Sequence, residues 1–129
     1  MFRHILLIDD DEDDQFIFLT ALKAVVPECS CRIFNNGADA IRDLQVHYGK
    51  TDMIFLDLNM PIMNGFEFLA ILKTDSLLSS LPVTIYSTSD DPVDIKRAKA
   101  LGAEQFISKS WDIQALIDEL NGIISLQQA

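Results

Sequence analysis

A chain of 129 residues, of which 49% are hydrophobic and 23% charged, is long enough to bury a core and has the composition of one globular domain. Its 20 acidic and 10 basic residues give a net charge of −10, which disfavours direct binding to nucleic acid or to an anionic membrane. No apolar run has the length of a signal sequence or a transmembrane helix, so we expect a cytoplasmic protein.

Short apolar runs alternate with longer amphipathic segments along the whole chain. Continuous apolar runs predict buried strands, and apolar residues at helical spacing predict helices. In chain order the pattern predicts a strand at 4–8, a helix at 13–25, a strand at 31–34, a helix at 37–48, a strand at 53–58, a helix at 64–75, a strand at 82–87, a helix at 91–102, a strand at 103–108 and a helix at 111–124.

The predicted helices have recognisable caps and apolar faces. Asn35 or Asn36 is expected to cap the second helix, Asp91 the fourth and Ser110 the last. The apolar residues at helical spacing are Phe16, Leu19, Leu22 and Val26 in or just after the first helix, and Ile113, Leu116, Ile117, Leu120 and Ile124 on one face of the last.

The regular alternation of strand and helix predicts an α/β fold. Strands that are apolar throughout are buried on both faces, so helices must cover both sides of a parallel sheet. Right-handed crossovers then close the chain into a doubly wound five-stranded sheet with five helices. Ligands of such sheets bind at the carboxyl ends of the strands, and those positions are where functional residues should lie.

Polar side chains do occupy the predicted carboxyl ends. They are Asp9, Asp10 and Asp11 after the first strand, Asp57 at the end of the third, Ser87 and Thr88 after the fourth, and Lys109 after the fifth. Carboxylates that meet from two strands resist joint ionisation unless a cation lies among them. Hard oxygen ligands of this kind suit Mg²⁺, which keeps several waters and uses only one or two protein carboxylates.

The acidic run after the first strand divides into two parts. Asp9 and Asp10 are expected to bind the cation, because Asp57 meets them from another strand. Asp11 is expected to be a loop residue near the site. Glu12, Asp13 and Asp14 are interpreted as solvated acids that favour the positive end of the first helix.

With these residues in place, the chain resembles the receiver domain of bacterial two-component response regulators over essentially its whole length. The resemblance is carried by the Asp9–Asp10 pair, by "FLDLNMPIMNGFE" at 55–67, by "YSTSD" at 86–90 and by "FISK" at 106–109. It implies a flavodoxin-like sheet with strand order 2-1-3-4-5 and a single receiver domain over 1–129 with no output domain. The ordered set of motifs is far more specific than any one of them.

The resemblance also implies a role for each site residue. Asp57 is the expected phosphoacceptor, and its phosphoryl donor would be a histidine kinase or a histidine phosphotransfer protein. The expected Mg²⁺ ligands are Asp10 directly, Asp9 through water, Asp57 and the backbone carbonyl of Asn59. Lys109 would pair with the phosphoryl group, Ser87 would turn its hydroxyl onto it, the Thr88 N–H would lie nearby, and Phe106 would report the change as a switch residue.

The output implied by the resemblance is protein contact rather than a reaction on a separate substrate. The chain would catalyse only its own phosphorylation and dephosphorylation, and would act on an unknown downstream protein. It would be a monomer, or a dimer through the face formed by the fourth helix, the fifth strand and the fifth helix.

One departure from the family keeps an alternative open. Ser110 stands where the family usually has proline after the lysine, so the Lys109–Ser110 peptide is either trans with an altered loop or a strained cis bond. An interaction module that never turns over phosphate is therefore the alternative. A haloacid-dehalogenase-type phosphatase is set aside because Asn59 stands where its second aspartate should be, and a flavodoxin is set aside because no phosphate-binding loop follows the first strand.

Overall fold

The computed structural model describes residues 4–110 and 112–128. Five strands and five helices alternate, and one short 3-10 turn at Tyr48–Lys50 follows the second helix. The elements are β1 His4–Ile8, α1 Glu12–Val25, β2 Ser30–Phe34, α2 Gly37–His47, β3 Met53–Leu56, α3 Gly65–Thr74, β4 Val83–Ser87, α4 Pro92–Ala100, β5 Gln105–Ser108 and α5 Ile113–Gln128. The predicted alternation is confirmed, with most ends displaced by one to four residues.

The five strands form one parallel sheet in the order β2-β1-β3-β4-β5. β1 lies between β2 and β3, so that Ile8 pairs with Phe34 on one side and with Leu56 on the other. At the far end Ser87 pairs with Ser108. The doubly wound sheet and its predicted strand order are confirmed, and the order reverses beside β1, which is where such sheets bind ligands.

Alternate residues of each strand enter two separate cores, as the pleat of a strand requires. Leu6, Ile54 and Ile85 point toward α2, α3 and α4, whereas Leu7 and Tyr86 point toward α1 and α5. Because both faces of the sheet are apolar and covered, the polar groups at the strand ends are the part of the sheet left to bind ligands.

The apolar face predicted for α1 was partly wrong. Phe16 is 71% exposed, whereas Phe18 is fully buried and its ring packs 4.9 Å from that of Phe55. Leu22 is buried as predicted. Phe16 and Phe18 are two positions apart, so they cannot share one helical face, and the neighbouring Ala21 completes the face that includes Phe18.

The cap predicted for the last helix was also wrong. Asp112 caps α5, because its Oδ1 accepts from the N–H groups of Gln114 at 3.0 Å and Ala115 at 3.2 Å. The Ser110 hydroxyl oxygen instead accepts from the N–H of Asp112 at 3.1 Å, so Ser110 tightens the turn before the helix. Asn36 caps α2 and Asp91 caps α4, as predicted.

Two further features bear on function. The Lys109–Ser110 peptide is trans, since no cis bond occurs among the described residues. Within the same ranges, none of the helices is both long and apolar enough to cross a membrane.

Candidate functional site

The carboxyl ends of β1, β3, β4 and β5 bring Asp9, Asp57, Ser87 and Lys109 together. Backbone hydrogen bonds fix these positions: the Asp57 N–H donates to the carbonyl of Ile8 at 3.0 Å, and the Lys109 N–H donates to the carbonyl of Ser87 at 2.8 Å. The site residues are therefore continuations of the sheet. Their spacing follows from strand pairing rather than from flexible loops.

Three carboxylates meet closely enough to hold one cation. Asp9, Asp10 and Asp57 each offer an oxygen atom, and these three atoms lie within 4.8 Å of one another. Asp9 and Asp57 are buried, whereas Asp10 is exposed. Two buried ligands beside one open ligand leave a side of the cluster accessible to water and to a second molecule.

Asp9 is held in a setting that disfavours its charge. Burial raises its pKa from 3.8 to about 6, although the neighbouring Lys109 lowers it again in part. Its Oδ1 accepts from the N–H of Asp11 at 3.0 Å, and its buried Oδ2 forms an ion pair with Lys109 Nζ at 2.7 Å without good hydrogen-bond geometry. Because Asp9 shares this lysine with Asp57, and Asp10 lies in the same cluster, the carboxylates carry more negative charge than Lys109 offsets, which fits the chemistry of a hard divalent cation.

Asp57 lies at the centre of the polar contacts. Its Oδ1 accepts from the Ser87 hydroxyl at 3.0 Å and from the N–H of Asn59 at 3.2 Å. Its Oδ2 accepts from Lys109 Nζ at 3.2 Å. Asp57 is thus an oriented carboxylate with a hydroxyl, an amide and an ammonium group around it, the partners that an added anionic group would need.

Lys109 contacts three carboxylates. Its Nζ lies 2.7 Å from Asp9 Oδ2, 2.8 Å from Asp14 Oδ2 and 3.2 Å from Asp57 Oδ2, and only 7% of its side chain is exposed. Burial alone would lower the pKa of Lys109, but the three carboxylates outweigh burial and raise that pKa above its usual value. Lys109 is therefore a permanently charged group in this site.

The interpretation of Asp14 as a solvated acid was wrong. Its side chain is 26% exposed and binds Lys109, while Glu12 and Asp13 are exposed as predicted. Side chains on a helix lean toward its amino terminus, so an acid at the third position of α1 can point back into the site. That lean was the available signal, but the same acidic run has an ordinary explanation in the helix dipole.

Gln15 is a second residue that the sequence did not single out. Its Nε2 donates to the carbonyl of Asp9 at 2.6 Å and to Oδ1 of Asn35 at 2.9 Å. It therefore joins the loop after β1 to the loop after β2 and fixes the backbone of Asp9. Nothing in the residue type or spacing indicates this contact.

The segment after Asp57 is built around a close backbone approach. A Cβ atom at Gly65 would lie 2.6 Å from the Asp57 carbonyl oxygen and 2.7 Å from Leu58 Cα, so only glycine fits there. Asn64 then caps α3 in a capping box with Glu67. The asparagine–glycine pair of the motif thus starts α3 directly against the backbone of the phosphoacceptor candidate.

The remaining predicted residues lie around this centre. Thr88 is exposed, Asn59 is exposed, and Phe106 is half-buried against the core on the α2, α3 and α4 side of the sheet. A depression of about 80 Å³ opens beside the lysine and is lined by Asp14, Ile17, Thr88, Lys109 and Ser110. The trans peptide at Ser110 leaves Lys109 in contact with Asp57, so the departure from the family pattern does not remove the lysine from the site.

Several known proteins resemble this chain over most of its length. A family model described as the response regulator receiver domain matches residues 5–121. PilH from Pseudomonas aeruginosa is 27% identical over 123 residues, which cover 94% of this chain and 97% of PilH. Response regulator Rcp1 from Synechocystis is 29% identical over 126 residues, which cover 94% of this chain and 86% of Rcp1.

Solved structures show the same fold over nearly the whole chain. The phosphorylated cyanobacterial phytochrome response regulator RcpA matches with a TM-score of 0.88 at 28% identity, covering 100% of this chain and 96% of RcpA. The Mn²⁺-bound form of response regulator Rcp1 matches with a TM-score of 0.81 at 28% identity, covering 95% of this chain and 92% of that one.

Proposed function

The chain belongs to the family of response regulator receiver domains, and from that premise we propose that Asp57 is the residue that accepts the phosphoryl group. Its family makes it a phosphoacceptor signalling protein of a two-component system and not a classical enzyme. The observation that carries the assignment of Asp57 is its position: it is a buried carboxylate with a hydroxyl, a lysine and two further acids in reach.

The proposed reaction is a transfer between two covalent carriers. An Asp57 carboxylate oxygen attacks phosphorus, a new O–P bond forms, and the N–P bond to a histidine of the donor breaks. The imidazole leaves with the electron pair of that bond and takes up a proton. The donor would be a histidine kinase or a histidine phosphotransfer protein, and self-catalysed hydrolysis would end the signal.

The residues around Asp57 supply positioning and charge rather than covalent help, as phosphoryl transfer requires. Lys109 already donates to Asp57 Oδ2 and would bind a phosphoryl oxygen. Ser87 already donates to Asp57 Oδ1, and its hydroxyl would donate to the phosphoryl group instead. The Thr88 N–H follows it in the chain and would be the next donor.

The carboxylate cluster fits a divalent cation, and we propose Mg²⁺. Asp10 would be a direct ligand, Asp9 a ligand through water, and Asp57 and the Asn59 backbone carbonyl would complete the protein ligands. When bound, Mg²⁺ would neutralise charge on the phosphoryl oxygens. The Mn²⁺-bound form of Rcp1 supports a divalent cation in this family.

The proposed output is a changed surface for protein contact. Movement of Ser87 toward a phosphoryl group would shift the start of α4, and Phe106 on β5 would follow as the switch residue. The surface concerned is formed by α4, β5 and α5, and it would bind a downstream protein or a second copy of the chain. A single receiver domain over 1–129 acting in the cytoplasm is part of this proposal.

Intact-mass measurement tests the proposal. Wild-type protein with Mg²⁺ and acetyl phosphate should gain the mass of one phosphoryl group, and Asp57→Asn should gain none. Asp118→Asn, which makes the same change on the exposed side of α5, should behave as wild type. Unlabelled wild-type protein would refute the proposal and favour an interaction module that does not turn over phosphate. Equal labelling of Asp57→Asn would instead refute Asp57 as the phosphoacceptor.

A further inference from the structure

Asp14 is an acid at the site to which the proposed reaction gives no task. It lies in the first turn of α1, and its Oδ2 is 2.8 Å from Lys109 Nζ. That distance is shorter than the 3.2 Å between Lys109 Nζ and Asp57 Oδ2. Lys109 is therefore shared between the phosphoacceptor and a carboxylate from a different element.

The position of Asp14 is fixed from the backbone. Its N–H donates to Oδ1 of Asp11, the cap of α1, at 3.0 Å. The neighbouring acids Glu12 and Asp13 belong to the same turn but are exposed. The helix dipole acts on all three acids, so it does not explain why only Asp14 contacts the lysine.

Asp14 also stands apart from the acids that can bind a cation. The cluster whose oxygens lie within 4.8 Å of one another contains Asp9, Asp10 and Asp57 but not Asp14. A cation bound there would draw on the carboxylates of Asp9 and Asp57, which are two of the three partners of Lys109. Asp14 is the partner that would remain with the lysine.

This arrangement gives Asp14 opposite effects on the two ligands. Its negative charge offsets the positive charge of Lys109, and therefore favours a cation at the neighbouring cluster. The same charge opposes an incoming phosphoryl group, and its contact occupies one of the three N–H groups of Lys109 that the phosphoryl group would use.

We propose that Asp14 is a positioning residue that holds Lys109 partly away from Asp57, so that it strengthens cation binding and weakens phosphoryl binding at the same site. The proposal rests on the proposed function, because it assumes that Asp57 carries the phosphoryl group. Asp14 and Lys109 both line the depression that also contains Thr88 and Ser110.

Calorimetry on the full chain tests both effects separately. Mn²⁺ alone is titrated first, and BeF₃⁻ is then titrated at saturating Mn²⁺ as a phosphoryl analogue. Asp14→Asn should bind Mn²⁺ about three- to tenfold more weakly and BeF₃⁻ about three- to tenfold more tightly, as expected for one partly buried charge at this range. Asp13→Asn should change either affinity by less than about twofold, because its carboxylate is exposed.

The opposite signs separate this role from a structural one. A variant that merely loosens the site should weaken both ligands, and that result would overturn the proposal, as would unchanged affinities or an equal effect of Asp13→Asn. Asp14→Glu, which keeps the charge and can reach Lys109, should restore both affinities toward wild type.

Failure of the underlying function gives a different result. Wild-type protein that binds Mn²⁺ but neither BeF₃⁻ nor a phosphoryl group would overturn the proposed function and the role of Asp14 together. Normal labelling of wild type with unaltered affinities in Asp14→Asn would overturn only the role of Asp14.

Discussion

Arg32 and Lys109 each bind carboxylates on this fold, but their surroundings differ in charge balance. Arg32 donates from Nε and a terminal nitrogen to Asp43 Oδ2 at 3.0 and 2.8 Å, and also to the Thr51 hydroxyl at 2.7 Å. The other oxygen of Asp43 lies 3.2 Å from His47 Nδ1. One acid thus meets one permanently charged base, and both oxygens of the acid have partners.

Lys109 instead faces three acids, and the exposed Asp10 adds a fourth carboxylate to the same region. The balanced pair of Arg32 and Asp43 has no excess charge, and Arg32 ties β2 to α2 and to the segment just before β3. The unbalanced group keeps excess negative charge among buried atoms, which costs stability unless a cation is bound. The contrast suggests that charge imbalance, more than burial of charge, distinguishes the functional end of this sheet.

Removing Arg32 should cause the largest loss of stability among the changes that test this contrast. Arg32→Met leaves Asp43 partly buried without its cation, and we expect the free energy of unfolding to fall by about 2–3 kcal/mol. Urea denaturation measures the loss. Mn²⁺ and BeF₃⁻ affinities should not change, because the pair lies outside the site.

The double variant Arg32→Met with Asp43→Leu is the matched control. It should recover most of the lost stability, since no unpaired charge remains. Loss of Mn²⁺ binding in Arg32→Met, or a double variant as unstable as the single one, would contradict the proposed difference between the surroundings of Arg32 and Lys109.

Removing one of the acids around Lys109 should instead raise the free energy of unfolding. Asp9→Asn deletes a buried charge whose pKa is raised to about 6, and so should stabilise the cation-free protein at pH 7. The expected gain in the free energy of unfolding is about 1–2 kcal/mol after allowance for solvent screening. The same variant should lose Mn²⁺ binding. A less stable Asp9→Asn would show that the site is not strained by its charges.

The pH dependence of stability should show the same imbalance. The pKa of Asp9 is higher in the folded protein, at about 6, than its ordinary value of 3.8, so the folded state binds the extra proton in that interval. The contribution of Asp9 to the free energy of unfolding therefore falls as pH rises from 3.8 to about 6. Above that range the full cost of burying the ionised carboxylate is present.

Urea denaturation of wild type and Asp9→Asn at several pH values without divalent cations isolates this contribution. The stability advantage of the variant should be small near pH 4 and should grow to its full size above pH 6. A constant difference across this range would mean that Asp9 titrates with its ordinary pKa.

Much of the fold and part of the site followed from sequence patterns for identifiable reasons. Apolar runs such as Ile5–Ile8 can only be buried, and parallel pairing then brings Asp9 and Asp57 to one edge whatever the helices do. Gly65 and Asn64 likewise interact with backbone that is near them in the chain, so a short motif is enough to predict their roles. These features depend on neighbours in the chain or in the sheet.

The errors at Phe16 and Asp14 concern side chains whose neighbours come from distant elements. Phe16 and Phe18 both fit a helical spacing, and only the packing against Phe55 of β3 decides which is buried. Asp14 and Lys109 are 95 positions apart in the chain, and no local pattern separates Asp14 from Asp13. A contact of that kind needs the relative position of α1 and β5, which composition and periodicity do not contain.

Removing the Ser87 hydroxyl, a neutral hydrogen-bond donor to Asp57, should have the smallest effect on stability. Ser87→Ala removes the hydroxyl that donates to Asp57 Oδ1 at 3.0 Å, while the Asn59 N–H continues to donate to that oxygen. The free energy of unfolding should fall by about 1 kcal/mol, the usual size for one buried hydrogen bond. Ser87→Thr keeps the hydroxyl and is the control for side-chain volume.

The same variants test whether the Ser87 hydroxyl transmits the effect of a phosphoryl group. Amide NMR spectra with Mn²⁺ replaced by Mg²⁺, taken before and after BeF₃⁻ addition, should show changes that reach α4 in wild type and in Ser87→Thr. In Ser87→Ala the changes should be confined to the site. Changes of equal extent in all three proteins would mean that the Ser87 hydroxyl transmits nothing, and that charge alone accounts for the difference between the surroundings of Arg32 and Lys109.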